Sequence, residues 1–127
     1  MRIAFSLLIT LHALIHGLGF AKAFGLAPLT QLKIPIPRPL GVLWLTAGVL
    51  ILAAMALLLA APRWFWAVGL AGIAVSQTVI IASWSDARFG TIPNILLLLA
   101  VIYGAFAWGP FGLRAEYEQL VRDGIAQ

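Results

Sequence analysis

Leu40 to Ala61 reads LGVLWLTAGVLILAAMALLLAA, an uncharged apolar run with a single threonine as its only hydroxyl, and it decides the fold class. About twenty apolar residues in a helix rising 1.5 Å per residue cross a hydrocarbon layer of roughly 30 Å. A run of this length has no place in a water-soluble core, because it offers no polar face. Three further runs of the same kind flank it, over Ile3–Ala23, from Arg63 or Trp64 to Ser85, and over Pro93–Trp108. The expected architecture is all-α: a four-span transmembrane bundle over residues 1–110, followed by a short amphipathic interfacial helix over 111–127.

Composition agrees. Of the 127 residues, 63% are hydrophobic and 9% charged, against roughly half and one quarter in soluble domains. The pI of about 10.4 does not point to nucleic acid, since the eight basic residues lie singly along the chain instead of forming a stripe. The chain has no cysteine, which excludes disulfides, thiolate metal sites and the quinone-linked disulfide-forming enzymes that share a four-helix plan.

Punctuation sets the helix limits. Pro39, Pro62 and Pro93 stand where a helix tolerates proline, in its first turn, and Thr91 is placed to cap the fourth span. Gly25 to Arg38, with Pro28, Pro35 and Pro37, reads as an extended or partly re-entrant loop. Trp64, Trp66 and Trp108 are assigned to one interfacial belt, Trp44 and Trp84 to the other. Leu113, Tyr117, Leu120, Val121 and Ile125 recur at helical spacing among charges, the pattern of a helix on the membrane surface. Arg2 and the Ala21-Lys22-Ala23 pattern also fit a cleaved signal peptide loosely, but the apolar region is long for one and holds both histidines.

Positive charge does not orient the bundle: Arg2, Arg63, Arg114 and Arg122 fall on the terminal side, and Lys22, Lys33, Arg38 and Arg88 on the other. The free amino terminus places both termini in the cytoplasm of a bacterial inner membrane.

Chemistry is confined to a few polar residues. His12 falls near the bilayer midplane and His16 one turn further from the termini, on the same helical face. An ionisable group in lipid costs about 2.5–3.5 kcal/mol when charged at the centre, so both rings should face the bundle interior. Gln77 and Thr46 come out at depths close to that of His16, with Asn94, Asp86, Arg88 and Lys22 further toward the same side; Ser76 and Asn94 are counted with the track. Together they outline a polar track ending blind at His12, with Lys22, Asp86 and Arg88 at its mouth. The histidines are expected to hydrogen-bond Gln77, Ser76 or Thr46, at about 0.6–2 kcal/mol each.

Neither a metal nor a cofactor is expected. A divalent metal on His12 and His16 lacks further ligands, and haem lacks a ligand from the opposite face. Gly69, Gly72, Ser76 and Ser83 on the third span, and Gly41, Trp44 and Gly48 on the second, form small-residue stripes suited to close packing. The polar connection from Ser83 to Asn94 reads as a capped turn in which Asp86 and Arg88 partly neutralise each other. Lys22 snorkels to the headgroups or pairs with Asp86.

The stretches Leu11-His12-Ala13-Leu14-Ile15-His16-Gly17-Leu18-Gly19-Phe20-Ala21-Lys22-Ala23-Phe24-Gly25 and Ser83-Trp84-Ser85-Asp86-Ala87-Arg88-Phe89-Gly90-Thr91 resemble the membrane segment of an uncharacterised bacterial family in which four helices precede a soluble domain of unknown function. The resemblance covers roughly residues 5–110. That domain would begin where this chain ends, at Gln127, so no activity carries over. Gly17-Leu18-Gly19-Phe20-Ala21-Lys22 is also similar to the close of the first helix in DoxX-like four-helix membrane proteins. This implies the fold and supplies no catalytic residue.

Three functions follow as expectations. The first is a non-enzymatic accessory or scaffold subunit in the lipid bilayer, forming a homo- or hetero-oligomer with another membrane protein through lipid-exposed small-residue faces. The second is a small transporter or channel-like unit handling protons or a small polar solute through His12, His16 and Gln77. The third is a haem- or metal-binding redox subunit. A buried acid of the kind small multidrug exporters use is absent from the spans.

Overall fold

A computed structural model describes residues 2–26, 28–29, 33–108 and 113–126, with the side chains of residues 2, 113–115, 125 and 126 left aside. All regular structure among them is helical: α1 (Arg2–Ala23), α2 (Arg38–Ala60), α3 (Pro62–Ala82), α4 (Trp84–Ala87), a 3-10 turn (Arg88–Gly90), α5 (Thr91–Ala107) and α6 (Leu113–Ala126). Four segments are long and apolar enough to cross a membrane: Ile3–Ala23, Arg38–Ala60, Pro62–Ala82 and the composite Trp84–Ala107. The chain is an all-α four-helix bundle with a further helix after the last span.

The prolines act as expected. Pro39 and Pro62 lie in the first turns of α2 and α3, where a missing N–H leaves no bond unmade. α1 ends on Gly25 with φ +65°. Gly25 N–H donates to Lys22 O and Leu26 N–H to Ala21 O, the two bonds of a Schellman cap, which glycine makes without Cβ strain. The described residues 25–26, 28–29 and 33–37 are non-helical.

The fourth span departs from expectation. The stretch from Ser83 to Asn94 is mostly helical, and α5 begins at Thr91 instead of Pro93. α5 alone, 17 residues, is about 25 Å long, short of a bilayer core. The elbow of α4 and the 3-10 turn completes the crossing. A helical elbow keeps its backbone groups bonded internally, as at Ala87 N–H to Ser83 O, which lipid requires and an open loop does not provide. Thr91 caps nothing; its hydroxyl accepts a bond from Gln77.

Neighbours in sequence are neighbours in space: α1 packs on α2, α2 on α3, and α3 on α5, while α1 and α5 barely touch. Small residues bring the backbones together. A Cβ on Gly48 would stand 2.8 Å from Ala13 O, and one on Gly72 3.1 Å from Ile51 Cγ1. Gly41, Gly69, Gly72 and Ser76 are buried too. The small-residue stripes are therefore used within the bundle. This is the close packing expected of them.

The interior is layered by depth. Toward the termini, Ile9, Ile51, Phe65, Leu97 and Val101 form an apolar plug, with Phe65 seated on Gly104. The polar residues occupy the middle. Trp44, Ile36 and Val79 form a second apolar cluster at the far end. Trp44, 6% exposed, is thus a core residue and not part of an interfacial belt; Trp64 and Trp84 are exposed. On α6, Tyr117, Leu120 and Val121 are exposed.

Candidate functional site

His12 and His16 are both sequestered by protein, at 5% and 1% exposure. Their rings meet edge to face with centroids 4.6 Å apart. His16 is held at both nitrogens: Nδ1 lies 2.8 Å from the carbonyl of His12 and Nε2 2.7 Å from Ser76 Oγ. A carbonyl only accepts, so Nδ1 carries the proton and Nε2 accepts from the Ser76 hydroxyl.

The remaining bonds follow from that assignment. With its hydrogen committed to His16, Ser76 Oγ accepts from Asn94 Nδ2 at 2.9 Å, and its 3.2 Å approach to Asn94 Oδ1 is secondary. The Asn94 amide also donates to Gln77 Oε1 at 3.0 Å, and Gln77 Nε2 donates to Thr91 Oγ1 at 3.2 Å. Asn94 Oδ1 accepts from His12 Nε2–H at 2.8 Å. The chain of bonds leaves His12 through its ring and returns to it through its carbonyl. α1, α3 and α5 are tied by one directional circuit in which each donor meets an acceptor.

Of the residues placed on the track, the structure brings together His12, His16, Ser76, Gln77 and Asn94, and leaves out Thr46. Thr46 lies exposed on the outer face of α2, and its hydroxyl bonds its own helix at Val42 O, 2.8 Å away. The reason is rotation. Positions i and i+2 do not share a helix face, so burying Trp44 turns Thr46 outward.

The mouth also differs from expectation. Asp86 Oδ2 accepts the backbone N–H of Ile34 at 2.7 Å, and Lys22 Nζ donates to the carbonyl of the same residue at 2.7 Å. The two charged side chains thus grip one residue of the loop between α1 and α2. Arg88 is exposed, with its guanidinium 5.2 Å from the Phe89 ring centroid, and does not take the place beside Asp86 that sequence reasoning gave it.

A cavity of about 300 Å³ fills the gap where α1 and α5 fail to meet. His12, His16 and Trp44 stand at its inner wall, Leu11 and Ile15 on its α1 side, and Asp86, Phe89 and Gly90 at the elbow. Gly90 packs closely there: a Cβ would lie 2.9 Å from Ile80 Cδ1, the movable end of that side chain, and 3.4 Å from His12 Cε1. Trp44 Nε1 is buried with no hydrogen-bond partner among the described residues, as is Ser83 Oγ. Sequence reasoning missed this site because Trp44, Gly90 and Ile34 owe their roles to neighbours far along the chain. The small Gly19, against whose position the Trp44 ring packs, was the one local sign.

For a metal, the geometry offers little beyond the pair. No group of three His, Cys, Asp or Glu side chains converges among the described residues. Both nitrogens of His16 and Nε2 of His12 are already engaged, which leaves His12 Nδ1 alone for coordination unless the circuit opens.

Comparison with family models, with curated protein sequences and with solved structures returned no match.

Proposed function

We propose that this chain is a non-enzymatic membrane subunit, an accessory or scaffold that works by associating with another membrane protein or a second copy of itself. One observation carries the reading: the ionisable groups in the middle of the bundle are held in a closed hydrogen-bond circuit linking three spans. Such a circuit fixes helix register and commits both nitrogens of His16 and Nε2 of His12 to bonds between spans or within α1. Because the small-residue stripes are consumed internally, association uses the outer aliphatic faces and α6. We place the bundle in a bacterial inner membrane with the termini cytoplasmic and α6 on that surface, where Tyr117, Leu120 and Val121 enter the headgroup layer.

The test is cross-linking in native membranes followed by purification. A reproducible partner band or a stable homo-oligomer is expected. A chain that stays monomeric and unlinked at every reagent concentration overturns the proposal.

A second reading, handling of protons or a small solute through His12, His16 and Gln77, is favoured by the cavity that runs between Asp86 and His12. It predicts a pH-dependent flux in vesicles that His12→Ala abolishes.

A further inference from the structure

We infer that the gap between the first and fourth spans is a binding site for a neutral amphiphile with a hydroxyl head, which enters sideways from the lipid. The inference is independent of the subunit reading, since it concerns a cavity and not an outer face.

Three observations converge. First, the cavity has the size and character of a small-molecule site: about 300 Å³, mainly apolar, with a few polar groups on one wall. Second, its α1 side is formed by Leu11 and Ile15, which are 56% and 46% exposed on the face a bilayer covers. A ligand with an apolar body reaches it without crossing water. Third, the inner wall holds a hydrogen-bonding group that the protein itself does not satisfy. No hydrogen bond among the described residues engages His12 Nδ1, which the tautomer leaves as an acceptor, and the ring of Trp44 stands beside it on the same wall.

A hydroxyl answers it by donating to His12 Nδ1. An ether, a ketone or an alkane has no proton to give. Charge is disfavoured in either sign. A carboxylate would lie on the same wall as Asp86, whereas an ammonium would find that Asp86 already accepts the Ile34 N–H and that the inner wall offers it one acceptor, His12 Nδ1.

The probe is 1-decanol, titrated into the protein in lipid nanodiscs while the indole N–H resonances are followed by NMR. Trp44→Phe assigns the Trp44 signal; Trp64, Trp66, Trp84 and Trp108 serve as internal controls. A saturable shift of the Trp44 indole is expected, with a parallel shift of His12 Nδ1 and none of His16. Decane and decyl methyl ether, which cannot donate to His12, should each bind about tenfold more weakly, the loss of one buried hydrogen bond. Ile15→Phe, which fills the entrance at a half-exposed position, should abolish the shift while the control signals stay in place. An unmoved Trp44 signal with decanol overturns the inference, as expected of a cavity that holds water alone. Equal responses to decane and decanol, or tighter binding of decylamine or decanoate, also overturn it.

Discussion

The Nδ1–H of His16 donates to the carbonyl of His12 one turn earlier on the same helix, at 2.8 Å. That single bond sets the polarity of the circuit that follows, because it leaves Nε2 of His16 able only to accept. Ser76 must therefore donate, Asn94 must turn its amide toward Ser76, and His12 must present Nε2–H to Asn94.

Deleting one member strands the others. Ser76→Ala leaves Nε2 of His16 and one Asn94 proton without partners, and His16→Ala leaves the Ser76 hydroxyl unmatched. Each should destabilise the bundle by about 1–3 kcal/mol, the cost of a buried unsatisfied group. The double variant should cost less than the sum, with a coupling of about 0.5–1.7 kcal/mol. Reversible unfolding in mixed detergent measures all three. Strict additivity would mean that the pair does not interact.

Asn94 and Thr46 separate site from surface. Asn94→Leu removes bonds to His12, Ser76 and Gln77 together, and should be the most destabilising single change in the circuit. Thr46→Ala removes only a bond within its own helix and should fall within about 0.5 kcal/mol of the parent. The same unfolding assay ranks them, and a Thr46 effect as large as that of Asn94 would contradict the exposed placement.

Two glycines on the first two spans predict opposite signs. Gly48→Ala drives a methyl toward the backbone carbonyl of Ala13, which cannot move away without parting α1 from α2. A loss of about 1–3 kcal/mol is expected from overpacking. A Cβ on Gly17 meets nothing within 4 Å, so Gly17→Ala should stabilise by about 0.5–1 kcal/mol through helix propensity.

Asp86 is predicted to act as a latch. Asp86→Ala removes the acceptor of the Ile34 N–H, at about 1–2 kcal/mol for a charge-assisted bond. Amide exchange at Ile34 should rise about 5–30-fold, while exchange at Val79 in the core stays unchanged. Equal exchange in parent and variant would show that the grip does not hold the loop.

The absence of cysteine makes the crossings directly testable. Pro35→Cys and Arg88→Cys, both exposed, should react with an impermeant thiol reagent from one side of sealed vesicles, and Arg63→Cys from the other. Labelling of all three from the same side would refute four crossings.

The four spans were legible in the sequence because length and hydropathy alone decide whether a segment suits lipid. His12 and His16 were legible as inward-facing, since two imidazoles on one face have a large solvation reason to avoid acyl chains. Ser76, Gln77 and Asn94 were named with them on one polar track, but depth along the helices set Asn94 nearer the surface, and only the structure brings it to His12 and Ser76. Depth, however, says nothing of rotation. On α2 the Gly41, Trp44 and Gly48 stripe marked a packing face, and all three are buried, whereas Thr46 was placed inside on depth alone.

Tertiary packing decided that rotation. Gly48 against Ala13 sets α2 on α1, and Trp44 thereby turns inward beside His16, with ring centroids 5.3 Å apart, while Thr46 turns to the surface. The same packing joins α3 to α5 and leaves α1 and α5 apart, which creates the cavity. Hydropathy by itself determined that this chain makes four apolar helices and hides its histidines. Which partner each imidazole meets, and that a space remains beside them, depended on how the four helices close on one another, a property of their surfaces together and of no single span.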